Sequence, residues 1–478
     1  MKQPGFLKRR TKIVCTIGPA TGSAAVIDLL IRSGMNVARL NLSHGTHDIH
    51  AKYIQTVRRS SRRLGIKVAV LMDLPGPKYR TGRLKGGQVT LQKGSRVTLT
   101  MEDVEGDAAL VPVNLPTLPR DVAAGDTILL DDGAMQLRVL DKKDDRVVCR
   151  VILGGILKER RGLVVPGMRT SGPFITEALR RDILFAIQET PEYLAISFIN
   201  NAEEVLGVKD ILRRNNADIP VIAKIEKMQA VKNFDDILEV SDGIMVARGD
   251  LGVDIPLERV PIVQKEIIKK CNRAGKPVIT ATQMLESMVQ AARPTRAEVS
   301  DIANAILDGT DGIMLSAETS IGKFPIAAVR TMSKTALEAE KHFSHESVYP
   351  PKRERIGRET DELISLSACN TADALGAVAI IAFTQSGSTA MRVSKYRPKV
   401  PILAVTPGNK VSGRLLLYRG VYPFEGRDVS TLDGVFAAGA GLAKELGLAK
   451  SGDLVVITGG LPVGVTGSTN LLKVEKIT

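Results

Sequence analysis

Short apolar, β-branched runs alternate with stretches of helical period over most of residues 11–340. Eight of these runs read as buried strands: Thr11–Gly18, Val37–Ser43, Val68–Leu74, Tyr193–Phe198, Pro220–Ile225, Gly243–Arg248, Pro277–Thr282 and Gly312–Ser316. Helical patterns such as Ser23–Ser33, Glu177–Glu189, Leu257–Ala274 and Arg296–Leu307 lie between them. Strand–helix alternation implies parallel strands with crossover helices, and eight such units fit a closed (β/α)8 barrel better than an open doubly wound sheet.

The alternation is interrupted once and resumes after a linker. Beyond Leu74 come β-like runs at Gln88–Leu91, Arg96–Leu99, Asp126–Leu130, Gln136–Leu140 and Val147–Ile152, with turns at Gly86-Gly87, Asp132-Gly133 and Gly154-Gly155. This predicts a small β-barrel domain inserted at residues 75–168, which divides the main barrel into 1–74 and 169–342. The charged, proline-bearing stretch Lys341–Glu359 reads as a linker, placed at 343–360. Strands at Ala379–Thr384, Pro401–Thr406, Val421–Phe424 and Asp453–Gly459 then predict a separate α/β domain over 361–478.

Composition narrows the possibilities. A chain of 478 residues is too long for one ordinary domain, and 44% hydrophobic residues supply a sizeable core. Aromatics at 4% and the absence of Trp argue against stacking platforms for single-stranded nucleic acid. The formal charge of +14 suits nucleic acid, a membrane surface or anionic substrates, but no nucleic-acid recognition motif accompanies it. Basic clusters such as Arg58–Arg63 read as solvated faces. Four scattered cysteines form no Cys-x-x-Cys pair, which points to reduced thiols rather than disulfides or zinc. The basic stretch Met1–Lys12 has no apolar run of signal-peptide length after it, and no run of about 18 apolar residues occurs to cross a bilayer. The expectation is a cytoplasmic protein with neither nucleic acid nor membrane as partner.

Parallel barrels gather their chemistry at the carboxyl ends of the strands. Those ends carry Arg39, Asn41, Ser43 and His44 after the second strand and Asp73 at the third. They carry Lys224 and Glu226 at the fifth, Arg248-Gly249-Asp250 at the sixth, Thr280 and Thr282 at the seventh, and Ser316 and Glu318 at the eighth. A single polar strand end is ordinarily just wetted by solvent. Six together on one rim suggest a phosphate–magnesium site, with carboxylates for the hard cation and Lys and Arg for the charge on transferring oxygens. The Gly-x4-Gly-Lys-Ser/Thr loop is missing, and so is a protein-kinase glycine loop paired with His-Arg-Asp, so any nucleotide chemistry must use another scaffold.

Long ungapped blocks add specificity. They run from Thr11 (TKIVCTIGPA), Met35 (MNVARLNLSHG), Ser241 (SDGIMVARGDLG), Ile279 (ITATQMLESM) and Arg293 (RPTRAE), with ILDGTDG following Ala305. The chain resembles the pyruvate kinase family almost end to end. The resemblance implies phosphoryl transfer from phosphoenolpyruvate to ADP, giving pyruvate and ATP. It implies that Lys224 stabilises the phosphoryl group in flight and that Arg39 contacts phosphate. Glu226 and Asp250 would hold magnesium or manganese. The amides of Gly249 and Asp250, with the Thr282 hydroxyl, would hold the substrate carboxylate, and Thr282 would lie on the route protonating the enolate. Arg80 and Arg161, the latter usually Lys in the family, would contact nucleotide under the inserted domain as a lid.

Asn41, Ser43, Asp73 and the Leu74 carbonyl match the family's monovalent-cation pocket. After the third strand, however, Asp73-Leu-Pro-Gly-Pro-Lys78 stands where Asp-Thr-Lys-Gly-Pro-Glu is usual, and Asn200 stands where Arg is usual. Lys78 brings its own charge, so the expectation is activity largely independent of potassium. In the C-terminal domain Thr384, Ser386, Gly387, Ser388 and Thr389 open a helix after a strand, a place where free amides and hydroxyls suit phosphate and where an ordinary capping turn is equally at home. The family implies a sugar-phosphate or nucleotide effector there, with Gly459–Thr469 as its closing loop, and a homotetrameric assembly.

Overall fold

The computed structural model describes residues 8–114, 116–168, 171–343, 359–426, 431–462 and 469–478. Its largest element is a closed barrel of eight parallel strands. These are β1 (Lys12–Thr16), β2 (Val37–Asn41), β3 (Ala69–Leu74), β4 (Tyr193–Ile196), β5 (Val221–Ile225), β6 (Gly243–Ala247), β7 (Val278–Ala281) and β8 (Gly312–Leu315). β1 closes the ring by pairing with β2 on one side and β8 on the other. The expected (β/α)8 architecture is therefore present.

The strands are mostly apolar because both of their faces are covered, with single charged residues at Lys12, Arg39, Asp73 and Lys224. Ile13, Cys15, Ala38, Leu40, Val70 and Met72 pack outward with the helices, while Val14, Val37, Leu71, Tyr193, Met245 and Met314 fill the barrel interior. The surrounding helices begin and end on local signals. Thr295 and Glu298 form a capping box at Arg296–Leu307, and Gly65 ends His47–Leu64 in the left-handed conformation.

Between β3 and β4 the chain leaves the barrel for a seven-stranded sheet with its own core, which includes Leu99, Leu130, Leu137 and Val147. Its edge strands are Tyr79–Arg80 and Leu110–Pro112. An antiparallel bridge from Thr81 to Val113 joins the two edges, so the sheet curls closed and neither edge is left open for stray pairing.

The C-terminal domain holds a five-stranded sheet built from β9 (Ala379–Phe383), β10 (Ile402–Thr406), β11 (Val421–Glu425), β12 (Leu454–Gly459) and β13 (Leu471–Lys476), in the order β11-β10-β9-β12-β13. The sequence reading omitted β13, which pairs antiparallel with β12. Its Leu-Leu-Lys-Val-Glu-Lys pattern is half-exposed and lacks the apolar run of the other four. This domain seals the barrel floor, where Leu416 and Leu417 complete the apolar cluster of the barrel interior. Around that plug Lys12 Nζ donates to the Val421 carbonyl at 2.5 Å, the Tyr193 hydroxyl donates to the Arg414 carbonyl, and Arg397 pairs with Asp311. Most of the stretch read as a linker, and residues 463–468 of the effector loop, lie outside the described residues.

Candidate active site

Arg39, Asp73, Ser197, Lys224 and Glu226 come from the ends of β2, β3, β4 and β5 and meet at one point of the rim. All five are buried, Asp73 and Glu226 to 1% exposure. The Lys224 ammonium donates to Ser197 Oγ at 2.7 Å and lies 3.0 Å from Glu226 Oε1 and 3.2 Å from Asp73 Oδ1. Arg39 grips Asp73 Oδ2 through Nε and Nη2, both at 2.7 Å, and its Nη1 donates to Thr16 Oγ1 at 2.9 Å. Asp73 is thus shared between a guanidinium and an ammonium.

Electrostatics follow from this packing. Burial works to raise the Asp73 carboxyl, but Lys224 and Arg39 more than offset it and hold the group below its usual range. Burial likewise opposes the charge on Lys224, yet Asp73 and Glu226 keep its pKa above the ordinary value, so the ammonium stays protonated. Glu226 is pushed up by burial, with Asp250 adding to the effect and Lys224 opposing it. The cluster therefore holds one firmly charged ammonium beside a carboxylate whose charge wants a second cation.

That carboxylate faces a candidate partner. Glu226 Oε2 accepts the Phe198 amide at 2.6 Å, and Asp250 lies in the first turn of the short helix that follows β6. Asp250 Oδ1 lies 2.7 Å from Lys78 Nζ, and the same ammonium sits 5.2 Å from the Phe198 ring centre. Among the described residues no group of three or more His, Cys, Asp or Glu could hold a metal. Two carboxylates with oxygen donors only, leaving other positions to substrate and water, fit a hard ion of the magnesium kind.

The seventh strand contributes strain. Thr282 and Gln283 both have positive φ, +68° and +55°, which non-glycine residues adopt at a cost. Arg248 holds this turn through Nη2 to the Thr282 carbonyl at 2.9 Å and is itself paired with Asp301. Thr282 Oγ1 accepts the Gly249 amide at 2.7 Å. Gly249 and Thr282 are therefore neighbours, with the Gly249 amide engaged by the hydroxyl. A side chain at Gly249 would meet Thr282 Oγ1 at 3.4 Å. Glu318, beyond β8, is fully buried and accepts the amides of Leu285 and Ser316, so it staples two rim loops together.

Of the candidate monovalent-cation ligands, Asn41 Oδ1 accepts the Ser43 amide at 3.2 Å, the Leu74 carbonyl accepts the Ser197 amide at 3.3 Å, and Asp73 is occupied as described. On the inserted domain, Arg80 and Gly162 are cross-strand partners, which sets Arg80 beside Arg161. Arg161 faces Asp131 at 3.5 Å. His44 is depressed by burial first and then by Arg80 and Arg39, so the inserted domain's arginine and the barrel's act on one imidazole. In the C-terminal domain Thr384 Oγ1 accepts the Gly387 amide at 2.9 Å, Ser386 Oγ donates to Ser388 Oγ at 3.2 Å, and Thr389 bonds Thr469 at 2.8 Å. Gly387 takes φ +92° to start the helix Ser388–Lys395.

The sequence reading passed over Ser197, Phe198 and the Lys78–Asp250 pair. Ser197 stands at a strand end like the others, so the same rule would have found it. The pair depends on the loop after β3 folding back over β6, which no local pattern announces.

Comparisons with known proteins agree with this architecture. The family model described as pyruvate kinase, barrel domain, matches residues 8–329, and the one described as pyruvate kinase, alpha/beta domain, matches 362–475. A pyruvate kinase of Geobacillus stearothermophilus is 48% identical over 474 residues, covering 98% of this chain and 81% of that protein. One of Staphylococcus haemolyticus is 45% identical, covering 98% and 80%. The crystal structure of a pyruvate kinase from Cryptosporidium parvum superposes with a TM-score of 0.92 at 38% identity, over 98% of this chain and 97% of the other. With both domains matched and the barrel-rim residues brought together, the chain belongs to the pyruvate kinase family.

Proposed function

We propose that this chain moves the phosphoryl group of phosphoenolpyruvate to ADP with Lys224 as the cation facing the transferring group. The observation that carries the assignment is the Lys224 ammonium, buried and fixed by Ser197, Asp73 and Glu226 at the mouth of the barrel. A pre-oriented charge in a site of low dielectric stabilises developing negative charge without reorganising first. Arg39, fixed by Asp73 and Thr16, supplies a second cation for the phosphate. Glu226 and Asp250 would hold a divalent ion, which supplies charge neutralisation between the two substrates when bound. Lys78 holds Asp250 in the meantime, so loading that site requires its ammonium to give way.

Thr282 holds the Gly249 amide and keeps its hydroxyl beside the Asp250 turn, which suits it to orient the substrate carboxylate and relay a proton to the enolate. Arg80 and Arg161, adjacent on paired strands of the inserted domain, are suited to the nucleotide phosphates. The turn at Thr384–Thr389 is a candidate site for a phosphorylated effector, and a homotetramer is the expected assembly. The test is a coupled assay of pyruvate formation from phosphoenolpyruvate with and without ADP and divalent metal. Pyruvate released at the same rate without ADP would refute transfer to ADP in favour of transfer of the phosphoryl group to water.

A further inference from the structure

We propose that Asp254 is a positioning residue that ties the return hinge of the inserted domain to both candidate metal carboxylates. Asp254 ends the helix Arg248–Asp254, whose third residue is Asp250. It is 8% exposed, and each of its oxygens accepts a backbone amide from a different segment. Oδ2 accepts Met228 N at 2.6 Å, and Oδ1 accepts Gly167 N at 3.1 Å.

Each amide has a reason to need this carboxylate. Met228 opens the helix Met228–Lys232 two residues after Glu226, and the residue before it, Lys227, offers no side-chain cap. An uncapped helix start leaves amides without acceptors, and Asp254 supplies one from another element. Gly167 lies just past the last strand of the inserted domain, Gly162–Val164, with φ +73°, where the chain turns back toward the barrel. Four residues on, the Ser171 amide is held by Asp121 of the inserted domain at 3.2 Å. The returning segment is thus fastened to the barrel at Gly167 and to the inserted domain at Ser171.

One carboxylate therefore spans the Glu226 loop, the Asp250 helix and the hinge. Charge-assisted bonds to amides are short and directional, so displacement of any one segment is felt by the other two. Movement of the inserted domain, which carries Arg80 and Arg161, is coupled in this way to the carboxylates. The inference rests on the functional reading above for its kinetic arm only.

The experiment compares wild type with Asp254→Asn, Asp254→Glu and Met228→Pro. Proline is welcome at a first helical position and the extended Lys227 before it is compatible, so Met228→Pro removes the amide bond on that side, and Met228→Ala serves as the control for the side chain, which packs against the barrel core. Asp254→Asn is expected to raise the KM for ADP about tenfold, the size of one lost charge-assisted hydrogen bond, with the KM for phosphoenolpyruvate within about twofold. Amide exchange across residues 163–168, measured without substrates, should quicken in the same variant, and Asp254→Glu should restore both readouts toward wild type. Should Asp254→Asn fail to fold, Met228→Pro must show the same selective rise in the KM for ADP. Unchanged exchange at the hinge, both KM values rising together, or an unaltered Met228→Pro overturns the proposal. Failure of the functional reading would show separately, as wild type without ADP-dependent pyruvate formation, and hinge exchange would still report on Asp254.

Discussion

Replacing Lys224 with Met removes the ammonium and keeps most of the side-chain volume, so its effects isolate charge. On the rate, loss of a fixed cation aimed at the transferring group should cost several kcal/mol of transition-state stabilisation, on the order of a thousandfold or more. On stability, the two carboxylates fare differently. Asp73 keeps two bonds from Arg39, whereas Glu226 loses its contact with the Lys224 ammonium and keeps the Phe198 amide. Orphaning one member of a buried pair costs about 3–5 kcal/mol, and with a single carboxylate exposed to that fate we expect about 3. Burial already raises the Glu226 pKa, and without Lys224 it climbs further. The folded state then binds a proton more readily than the unfolded chain, so the deficit is full at high pH and shrinks as pH falls through the raised pKa. Denaturant unfolding in metal-free buffer, repeated at successively lower pH, reads this directly. Added magnesium should recover stability and leave the rate low. Near-normal turnover would refute the catalytic role. An inactive variant as stable as wild type at every pH would refute the counter-ion reasoning.

Other outcomes follow from the same geometry. The wild-type enzyme should turn over in sodium-only buffer, because the Lys78 ammonium already stands at Asp250, and Lys78→Glu should create a potassium requirement; initial rates at equal ionic strength decide. Two like unit charges about 4 Å apart repel by roughly 4 kcal/mol at an effective dielectric of 20, a cost that a monovalent cation near Lys78 carries unless the ammonium moves aside. Lys12→Met should stabilise the protein at neutral pH. Burial depresses the Lys12 pKa to about 7, so wild type gains stability as pH rises from there toward the unfolded value of 10.5, and the advantage of Met, a few kcal/mol at pH 7 at about 1.4 per unit, should fade across that window in thermal melts. Replacing Thr384, Ser386 and Ser388 together with Ala should abolish activation by a phosphorylated effector, a coupling of typically ~1–3 kcal/mol, and spare turnover at saturating substrate; a normal response would place the effector elsewhere.

The barrel was legible because its strands are covered on both faces, which forces unbroken apolar runs such as Ile13–Cys15 and Ile244–Val246. The rim residues stood out for the converse reason, as charges and hydroxyls placed directly after such runs. What escaped the sequence depends on approach in space. Glu318 looked like rim chemistry and instead folds inward to hold two loops. Asp254 carries no local signal of its role, because its two amide partners come from 26 and 87 residues away. Leu416 and Leu417 lie in the C-terminal domain's sequence and yet belong to the interior of the barrel.

That last feature has a consequence for the order in which the molecule can be made. The final barrel strand ends at Leu315, and the leucines that stop its floor are translated roughly a hundred residues later, about 5–20 s at ordinary ribosomal speeds. During that interval eight strands can pair, yet the lower opening around Val37, Ala69 and Tyr193 stays apolar and wet. A nascent chain in this state offers a chaperone a defined greasy ring, and a messenger broken before codon 416 yields a barrel with a permanently open base. Expression of residues 1–343 alone should therefore give a product that clumps or binds a hydrophobic dye, whatever the integrity of its catalytic rim.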